Sequence, residues 1–342
     1  MANKSRKLKI GVVGVGHLGR LHVKQLKQIA EAEIVGIYDV EASREAEVSR
    51  EFEVPAVRSF DELLERSQAI SIVTPTTTHF DYARRCLQAK LPVFVEKPFT
   101  ETVGQAEKLV RLARSRRVKM QVGHIERFNP AIVALESVEI NPLFIESHRL
   151  ANFNPRGTDV DVVLDLMIHD IDLILSFVKS PLKEAYASGI PVISRSEDIA
   201  NCRLRFENGC VANVTASRIS SRNMRKMRFF QPRTYISVDF LEGMAEIYSL
   251  PESAGPADRI IEPNFETTLS PGSAGISLQY SRLQKADINP LRYELRLFCR
   301  AVLEDTVPPI TAEDGLRALR VAKVILGRID SHTELVKKHW KF

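Results

Sequence analysis

Lys9-Ile10-Gly11-Val12-Val13-Gly14-Val15-Gly16-His17-Leu18-Gly19 decides how the rest of the chain is read. The first half is an apolar run of the kind that forms a buried parallel strand, and it leads directly into Gly14-x-Gly16-x-x-Gly19. A helix-compatible segment, Arg20 to Ile29, follows. In that order the first glycine allows a tight turn, the second lets the backbone approach a pyrophosphate, and the third lets helix and strand pack closely. Unpaired amides at the helix N-terminus then receive the diphosphate. Gly14, Gly16, His17, Leu18 and Gly19 are therefore the first candidate cofactor contacts. A second apolar strand, Glu33-Ile34-Val35-Gly36-Ile37-Tyr38, ends at Asp39. An acid at that place accepts hydrogen bonds from the adenosine ribose and repels a 2′-phosphate, which predicts NAD rather than NADP.

Outward from this stretch, Lys7 to about Val122 alternates short apolar runs with helical periodicity, the pattern of a parallel sheet covered on both faces. The strands read as Lys9 to Val13, Ile34 to Tyr38, Ala56 to Val57, Ala69 to Val73, Pro92 to Glu96 and Lys119 to Val122. The helices between them read as Leu18 to Ile29, Glu41 to Phe52, Phe60 to Arg66, His79 to Ala89 and Thr102 to Arg116. This is an α/β Rossmann-like, doubly wound domain over residues 1–123, with its ligand at the carboxyl ends of the strands. Asp39, the loop Thr74-Pro75-Thr76-Thr77 and the loop Glu96-Lys97-Pro98 leave those ends.

Beyond Gly123 the pattern changes to an α+β domain, residues 124–342, with a large and mainly antiparallel open sheet. A short helix is expected over Pro130 to Glu136, a strand over Leu143 to Arg149 and a long helix over Asp161 to Val178. Strands follow at Ala185 to Ile190, Asn201 to Phe206, Cys210 to Ser217, Lys226 to Phe230, Thr234 to Asp239 and Met244 to Tyr248, with Asn208-Gly209 as a hairpin turn. Pro251 to Gly275 reads as a loop, and helices Arg292 to Glu304 and Thr311 to Arg328 close the chain. Val211, Val214, Phe229, Tyr235, Ile236 and Val238 leave apolar side chains for both sheet faces. An uncovered apolar face predicts a homo-oligomer, dimer or tetramer, joined through this sheet.

At 342 residues the chain is long for one core, and 44% hydrophobic with 27% charged residues describes an ordinary globular protein. No run is long enough to span a bilayer, and Met1 to Lys7 lacks the apolar stretch of a signal peptide, so no membrane insertion and a cytoplasmic location are expected. Four cysteines without CxxC spacing point to reduced structural thiols. The net charge of +5 is spread along the chain without a nucleic-acid-binding motif, and it fits an anionic small ligand better than nucleic acid.

Two places carry chemistry. Asp165, His169 and Asp172 stand at i, i+4 and i+7, one face of an ideal helix, where carboxylates can keep an imidazole basic enough to take a proton from an alcohol. The same spacing also suits a solvated polar stripe or a satisfied core histidine, and no metal set accompanies it. Lys97 follows an apolar strand at the ligand end of the sheet, where it could donate to a substrate oxygen or lose a proton. Glu96 beside it could be a structural ion-pair partner. Arg218, Arg222, Arg225, Lys226 and Arg228 form the densest basic cluster, readable as a diphosphate clamp or as a solvated edge.

Gly14 to Gly19, Thr74-Pro75 with His79 downstream, Glu96-Lys97-Pro98 and Asp165-x-x-x-His169-x-x-Asp172 together resemble the glucose-fructose oxidoreductase / inositol dehydrogenase (Gfo/Idh/MocA) family. The resemblance covers nearly the whole chain, with Met167 where many members carry glycine. It implies NAD as cofactor, Thr74, Pro75, Thr76, His79, Glu96 and Lys97 as further cofactor contacts, and Lys97, His169 and Asp165 as the catalytic set. Gly123-His124-Ile125-Glu126-Arg127-Phe128-Asn129-Pro130 narrows the resemblance to members oxidising the 3-hydroxyl of a sugar nucleotide such as UDP-N-acetylglucosamine. Such members precede an aminotransferase in amino-sugar synthesis for lipid A or surface glycans. Arg127, Asn129, Arg156, Asp172, Arg218 and Arg225 are then the candidate substrate contacts. An inositol or free-sugar dehydrogenase and a non-catalytic NAD-binding regulator are the alternatives.

Overall fold

The structure is a computed structural model that describes residues 7–154, 160–250, 265–268, 277–285 and 288–339. The chain divides into two compact units, one made of Met1–Ile125 with Asn289–Leu319, the other of Glu126–Ile288 with Arg320–Phe342.

In the first unit five parallel strands form one sheet: β1 (Leu8–Val13), β2 (Ala32–Tyr38), β3 (Ala69–Ile72), β4 (Val93–Glu96) and β5 (Met120–Gly123), in the order β2-β1-β3-β4-β5. The connecting helices are α1 (His17–Leu26), α2 (Ala42–Phe52), α3 (Phe60–Arg66), α4 (Thr76–Gln88) and α5 (Val103–Arg116). The strands are apolar on both sides because helices cover both faces. Two of the sequence expectations fail here. Ala56–Val57 is not a strand: it makes a single bridge, Ile37 to Ala56. Pairing ends there because the Arg58 amide turns to the Glu62 carboxylate and the Ser59 hydroxyl caps α3. Thr76 and Thr77 do not lie in a loop, since α4 begins directly after Pro75.

The domain division expected at residues 123 and 124 also changes at its far end. Helix α8 (Pro290–Leu303), started by the Asn289 cap and Pro290, packs with the first unit. Its stripe Leu291, Leu295, Phe298 and Val302 recurs at helical spacing and joins the core made by β1, α1 and Phe94. The following helix α9 (Ala312–Lys337) is assigned to the first unit up to Leu319 and to the second from Arg320.

The second unit is built on nine strands: β6 (Phe144–Leu150), β7 (Leu182–Ile190), β8 (Ile199–Phe206), β9 (Val211–Ser217), β10 (Met224–Gln231), β11 (Thr234–Asp239), β12 (Met244–Ser249), β13 (Phe265–Thr268) and β14 (Ser277–Gln284). Their order is β13-β14-β12-β11-β10-β6-β9-β8-β7, and only β6 and β9 run parallel. Gly209, at φ +91°, closes the β8–β9 turn. Strand β13 falls inside Pro251 to Gly275, where a loop was expected; the rest of that segment lies outside the described residues. The short helix α6 covers only Pro130–Val133.

One face of this sheet is buried, and strand alternation puts Val214, Phe229, Ile236 and Val238 all on it. Val211 and Tyr235 point the other way, so the six residues divide over both faces as expected. The opposite face carries a row of half-buried rings, Phe144, Phe230, Tyr235, Tyr248 and Tyr280, each beside the next on successive strands at centroid separations of 5.0–5.6 Å. Behind the buried face the expected straight helix over Asp161 to Val178 is two pieces: a π-helical turn, Val163–Met167, and α7 (Ile168–Val178). Met167 is fully buried, with its sulfur 3.8 Å from that of Cys202 on β8, so the bulk at this position fills the space between helix and sheet. All four cysteines are buried free thiols, and burial pushes Cys202 and Cys299 up to about 12. No described helix is long and apolar enough to cross a membrane.

Candidate active site

At the carboxyl ends of β1, β2 and β3 lies a cleft of about 560 Å³. Gly14, Gly16, His17, Leu18, Asp39, Thr74 and Pro75 line it as the sequence predicts, together with Val40, Arg44, Thr78 and Tyr82, which the sequence reading missed. The three glycines have distinct uses. Gly14 has φ +82°, and a Cβ there would stand 2.5 Å from the Val73 carbonyl oxygen; one on Gly19 would stand 1.9 Å from the Gly14 carbonyl oxygen. A Cβ on Gly16 would meet nothing within 4 Å, so its backbone borders open space at the start of α1. The cleft thus has a bare helix N-terminus on one side and an acid on the other, which fits a dinucleotide.

Asp39 does more than face the cleft. Its Oδ2 accepts the Val15 amide at 2.8 Å, fixing the glycine loop, while Oδ1 accepts the Glu41 amide at 2.9 Å and Arg44 at 3.2 Å. Arg44 is also held by Glu41. A guanidinium held by two carboxylates is poorly placed to receive a 2′-phosphate. Burial, with a smaller contribution from the charge of Asp39, raises the Glu45 carboxyl above its ordinary range. Thr78 donates to Thr74 Oγ1 at 2.8 Å, and Thr78 and Tyr82 stand one helical turn apart on α4. Thr76 does not line the cleft.

His79 is buried and does not line the cleft, which corrects its assignment as a cofactor contact. Its ring nitrogens lie 3.0 Å from the Pro98 carbonyl and 2.8 Å from the Thr74 carbonyl, so it ties the loop after β3 to the loop after β4. Burial lowers its pKa although both carbonyls favour the charged ring. A neutral ring donates to only one of them.

Lys97 is half-buried at the end of β4 and precedes a cis Pro98. Its amide donates to Glu96 Oε2 at 3.1 Å, while Glu96 Oε1 lies 2.9 Å from His22 Nε2. Burial works to raise the Glu96 carboxyl, but the His22 hydrogen bond and charge, and then the Lys97 amide and charge, outweigh it and hold the carboxyl below its ordinary value. Glu96 therefore supports Lys97 from below, and neither of them is among the residues lining the cleft beside the glycine loop.

In the second unit, His169 and Asp165 are half-buried, His169 in the first turn of α7 and Asp165 in the π-helical turn. Two ion pairs hold α7, and a third extends one of them. Asp172 is turned inward and receives Arg127 through two parallel hydrogen bonds of 2.7 and 2.6 Å. Asp170 accepts Arg149 at 2.7 and 3.2 Å and the Ser147 hydroxyl at 2.8 Å. Arg149 also reaches Glu126 at 2.7 Å. Burial disfavours the Arg149 charge, but Asp170 and Glu126 outweigh it and raise its pKa.

The candidate substrate contacts fare unevenly. Asn129 caps α6 and donates to Glu126 and to the Phe240 carbonyl, a structural role. Arg218 is buried and holds Asp198 at 2.9 Å, so it is not part of a diphosphate clamp. Burial works against the charge of Asp198, yet the Ser194 hydroxyl and the amides of Val192, Ile193 and Ser194 keep it ionised well below the usual carboxylate range. The rest of the basic cluster diverges. Lys226 and Arg228 point to the face opposite Met227 and Phe229, where they meet Asp239 and Glu146, whereas Arg225 shares the Met227 side and lies 3.7 Å from Glu126. Arg156 lies outside the described residues.

These features define a dinucleotide-binding oxidoreductase of the Rossmann type. Residues 8–124 match the family model described as "Oxidoreductase family, NAD-binding Rossmann fold", and residues 145–239 match the Gfo/Idh/MocA C-terminal domain. The chain is 41% identical over 242 residues to the UDP-N-acetylglucosamine 3-dehydrogenase of Acidithiobacillus ferrooxidans, covering 70% of this chain and 77% of that protein. A solved structure of that enzyme superimposes with a TM-score of 0.85 at 34% identity, covering 95% of this chain and 98% of the other. A myo-inositol 2-dehydrogenase of Thermotoga maritima is 25% identical over 330 residues, 91% of this chain and 93% of that one. The chain belongs to the Gfo/Idh/MocA family of oxidoreductases, and its first unit is the NAD-binding Rossmann domain of that family.

Proposed function

We propose that the protein oxidises the 3-hydroxyl of a sugar nucleotide such as UDP-N-acetylglucosamine to a ketone. The observation that carries this reading is the similarity to the Acidithiobacillus enzyme across both units, in a chain that has Lys97, Asp165 and His169 in place. Oxidising CH–OH to C=O removes a hydride from carbon and a proton from oxygen. NAD held by Gly14 to Gly19 and Asp39 supplies the hydride acceptor. His169 takes the hydroxyl proton as general base, Asp165 supports its charge, and Lys97 polarises the oxygen. Arg225, on the inner side of its strand, supplies positive charge for the anionic nucleotide.

The test is mass spectrometry of the product formed from UDP-N-acetylglucosamine with NAD, beside a panel of inositols and free sugars. A product two mass units lighter, with NADH formed in equal amount, supports the reading. Turnover of inositol but no sugar nucleotide would replace it with the inositol dehydrogenase alternative, and no turnover of any compound would favour a non-catalytic binder. In this reading the enzyme works in the cytoplasm and its ketone feeds an aminotransferase on the way to lipid A or surface glycans.

The row of aromatic rings on the outer sheet face supports self-association as part of the same proposal. Light scattering at micromolar concentration should give at least a dimer, and Tyr235→Lys should weaken it by placing a charge in an apolar contact. A clean monomer in the parent protein would sink this part of the proposal.

A further inference from the structure

Helix α1, whose first turn borders the cofactor cleft, also sends a side chain beneath the reacting end of β4. His22 is buried at 1% exposure, edge-on to Phe94 with ring centroids 5.5 Å apart. Its Nδ1 lies 3.0 Å from Ser71 Oγ on β3 and its Nε2 lies 2.9 Å from Glu96 Oε1. A carboxylate can only accept, so Nε2 carries a proton toward Glu96, while Nδ1 meets the Ser71 hydroxyl at the other edge of the ring. Glu96 Oε2 accepts the Lys97 amide, which completes a chain from Ser71 through His22 and Glu96 to Lys97. Space around the carboxylate is tight: a Cβ on Gly123 of β5 would stand 3.0 Å from its carbon and both oxygens.

We propose that His22 is a positioning residue for hydroxyl oxidation: it holds the Glu96 carboxylate in one place and ionised, and through it sets the position and electrostatic surroundings of Lys97. The proposal rests on Lys97 being catalytic. The ionisable groups facing Glu96 are His22 from α1, Lys97 beside it and the buried His79 from α4; Ser71 and Gly123 bring no charge. Without His22, burial acts on Glu96 with less opposition, so the carboxyl takes up a proton at higher pH. The linkage also gives α1 a reason to carry a buried polar ring where an apolar residue would pack more simply.

The experiment compares His22→Phe, His22→Gln and Ser71→Ala with Lys97→Ala in the full-length enzyme, measuring kcat, KM, NAD affinity and the pH profile of kcat. Phenylalanine fills the space but leaves Glu96 and Ser71 without the ring nitrogens, and kcat should fall about tenfold to a hundredfold with NAD affinity nearly unchanged. The acid limb of the profile should move to higher pH, which a loss of general stability does not cause. Glutamine keeps a donor toward Glu96 and should recover most of kcat. If His22→Phe does not fold, Ser71→Ala decides: a fall of about threefold or more with the same movement of the acid limb supports the proposal, and unchanged kinetics overturn it. An active His22→Phe with the parental profile also overturns it. If Lys97→Ala is itself fully active, the role of Lys97 fails; an inactive Lys97→Ala beside a normal His22→Phe removes only the present proposal.

Discussion

Replacing His169 with asparagine is expected to lower turnover by about 10²–10⁴-fold, the range for loss of a positioned general base. Lys97→Ala should cost about 10²–10³-fold, because the oxygen that gains negative charge as its proton leaves loses a cationic partner. His169 lies in the second unit, away from the glycine loop and Asp39, so NAD should bind His169→Asn about as tightly as the parent. Titration of NAD by fluorescence, alongside steady-state kinetics, separates the two effects. Near-normal turnover in His169→Asn with none in Lys97→Ala would assign the base to Lys97. Full activity in both would place the chemistry elsewhere and remove the basis of the proposed mechanism.

The cofactor half of the site was readable because its signals are local. Gly14, Gly16, Gly19 and Asp39 each answer to a backbone demand within one strand–turn–helix–strand unit, and all four stand where that unit requires. Thr78 and Tyr82 could have been added, since they follow Thr74 at four-residue spacing. They were lost because α4 starts directly after Pro75, one turn earlier than the apolar pattern suggests. His79 is instructive in the other direction. Its place in the motif points to the cofactor, while burial and two carbonyl partners make it a tie between two loops.

Features that depend on pairing far along the chain were not readable. Density of basic residues along the sequence says nothing about strand parity, so Arg225 and Arg228 looked like one cluster although they lie on opposite faces of β10. Arg218 belongs with Asp198, twenty residues earlier at the end of the adjoining strand. The return of α8 to the first unit follows from an apolar stripe that any core could have accepted. The π-helical turn before His169 leaves no mark in composition, because it is a change of backbone register. Its consequence is chemical: Asp165 and Asp172, which an ideal helix would place with His169, stand in different helical registers, and Asp172 is drawn to Arg127.

The polar residues that hold this register are expected to show the largest stability effect. Arg149 is 2% exposed and bridges β6 to Asp170 of α7 and to Glu126, so its removal takes the cation from Asp170 and leaves Glu126 with only the more distant Arg225. Breaking a buried pair from one side typically costs about 3–5 kcal/mol, mostly through the charge left behind. Arg149→Met should show a loss of that size in urea unfolding followed by circular dichroism. Asp170→Asn alone should cost less, about 1–3 kcal/mol, because Arg149 keeps Glu126 and the amide oxygen can still accept from Ser147. The double variant Arg149→Met/Asp170→Asn should then recover part of the Arg149→Met loss, since the charge orphaned on Asp170 is gone. The same ordering should appear in kcat, because α7 carries His169 and its first turn depends on Asp170. If Arg149→Met unfolds within about 1 kcal/mol of the parent, or if the double variant is the least stable of the three, the network does not hold the helix. The placement of His169 would then have to come from the Arg127–Asp172 pair and from burial of Ile168, Ile171 and Leu175.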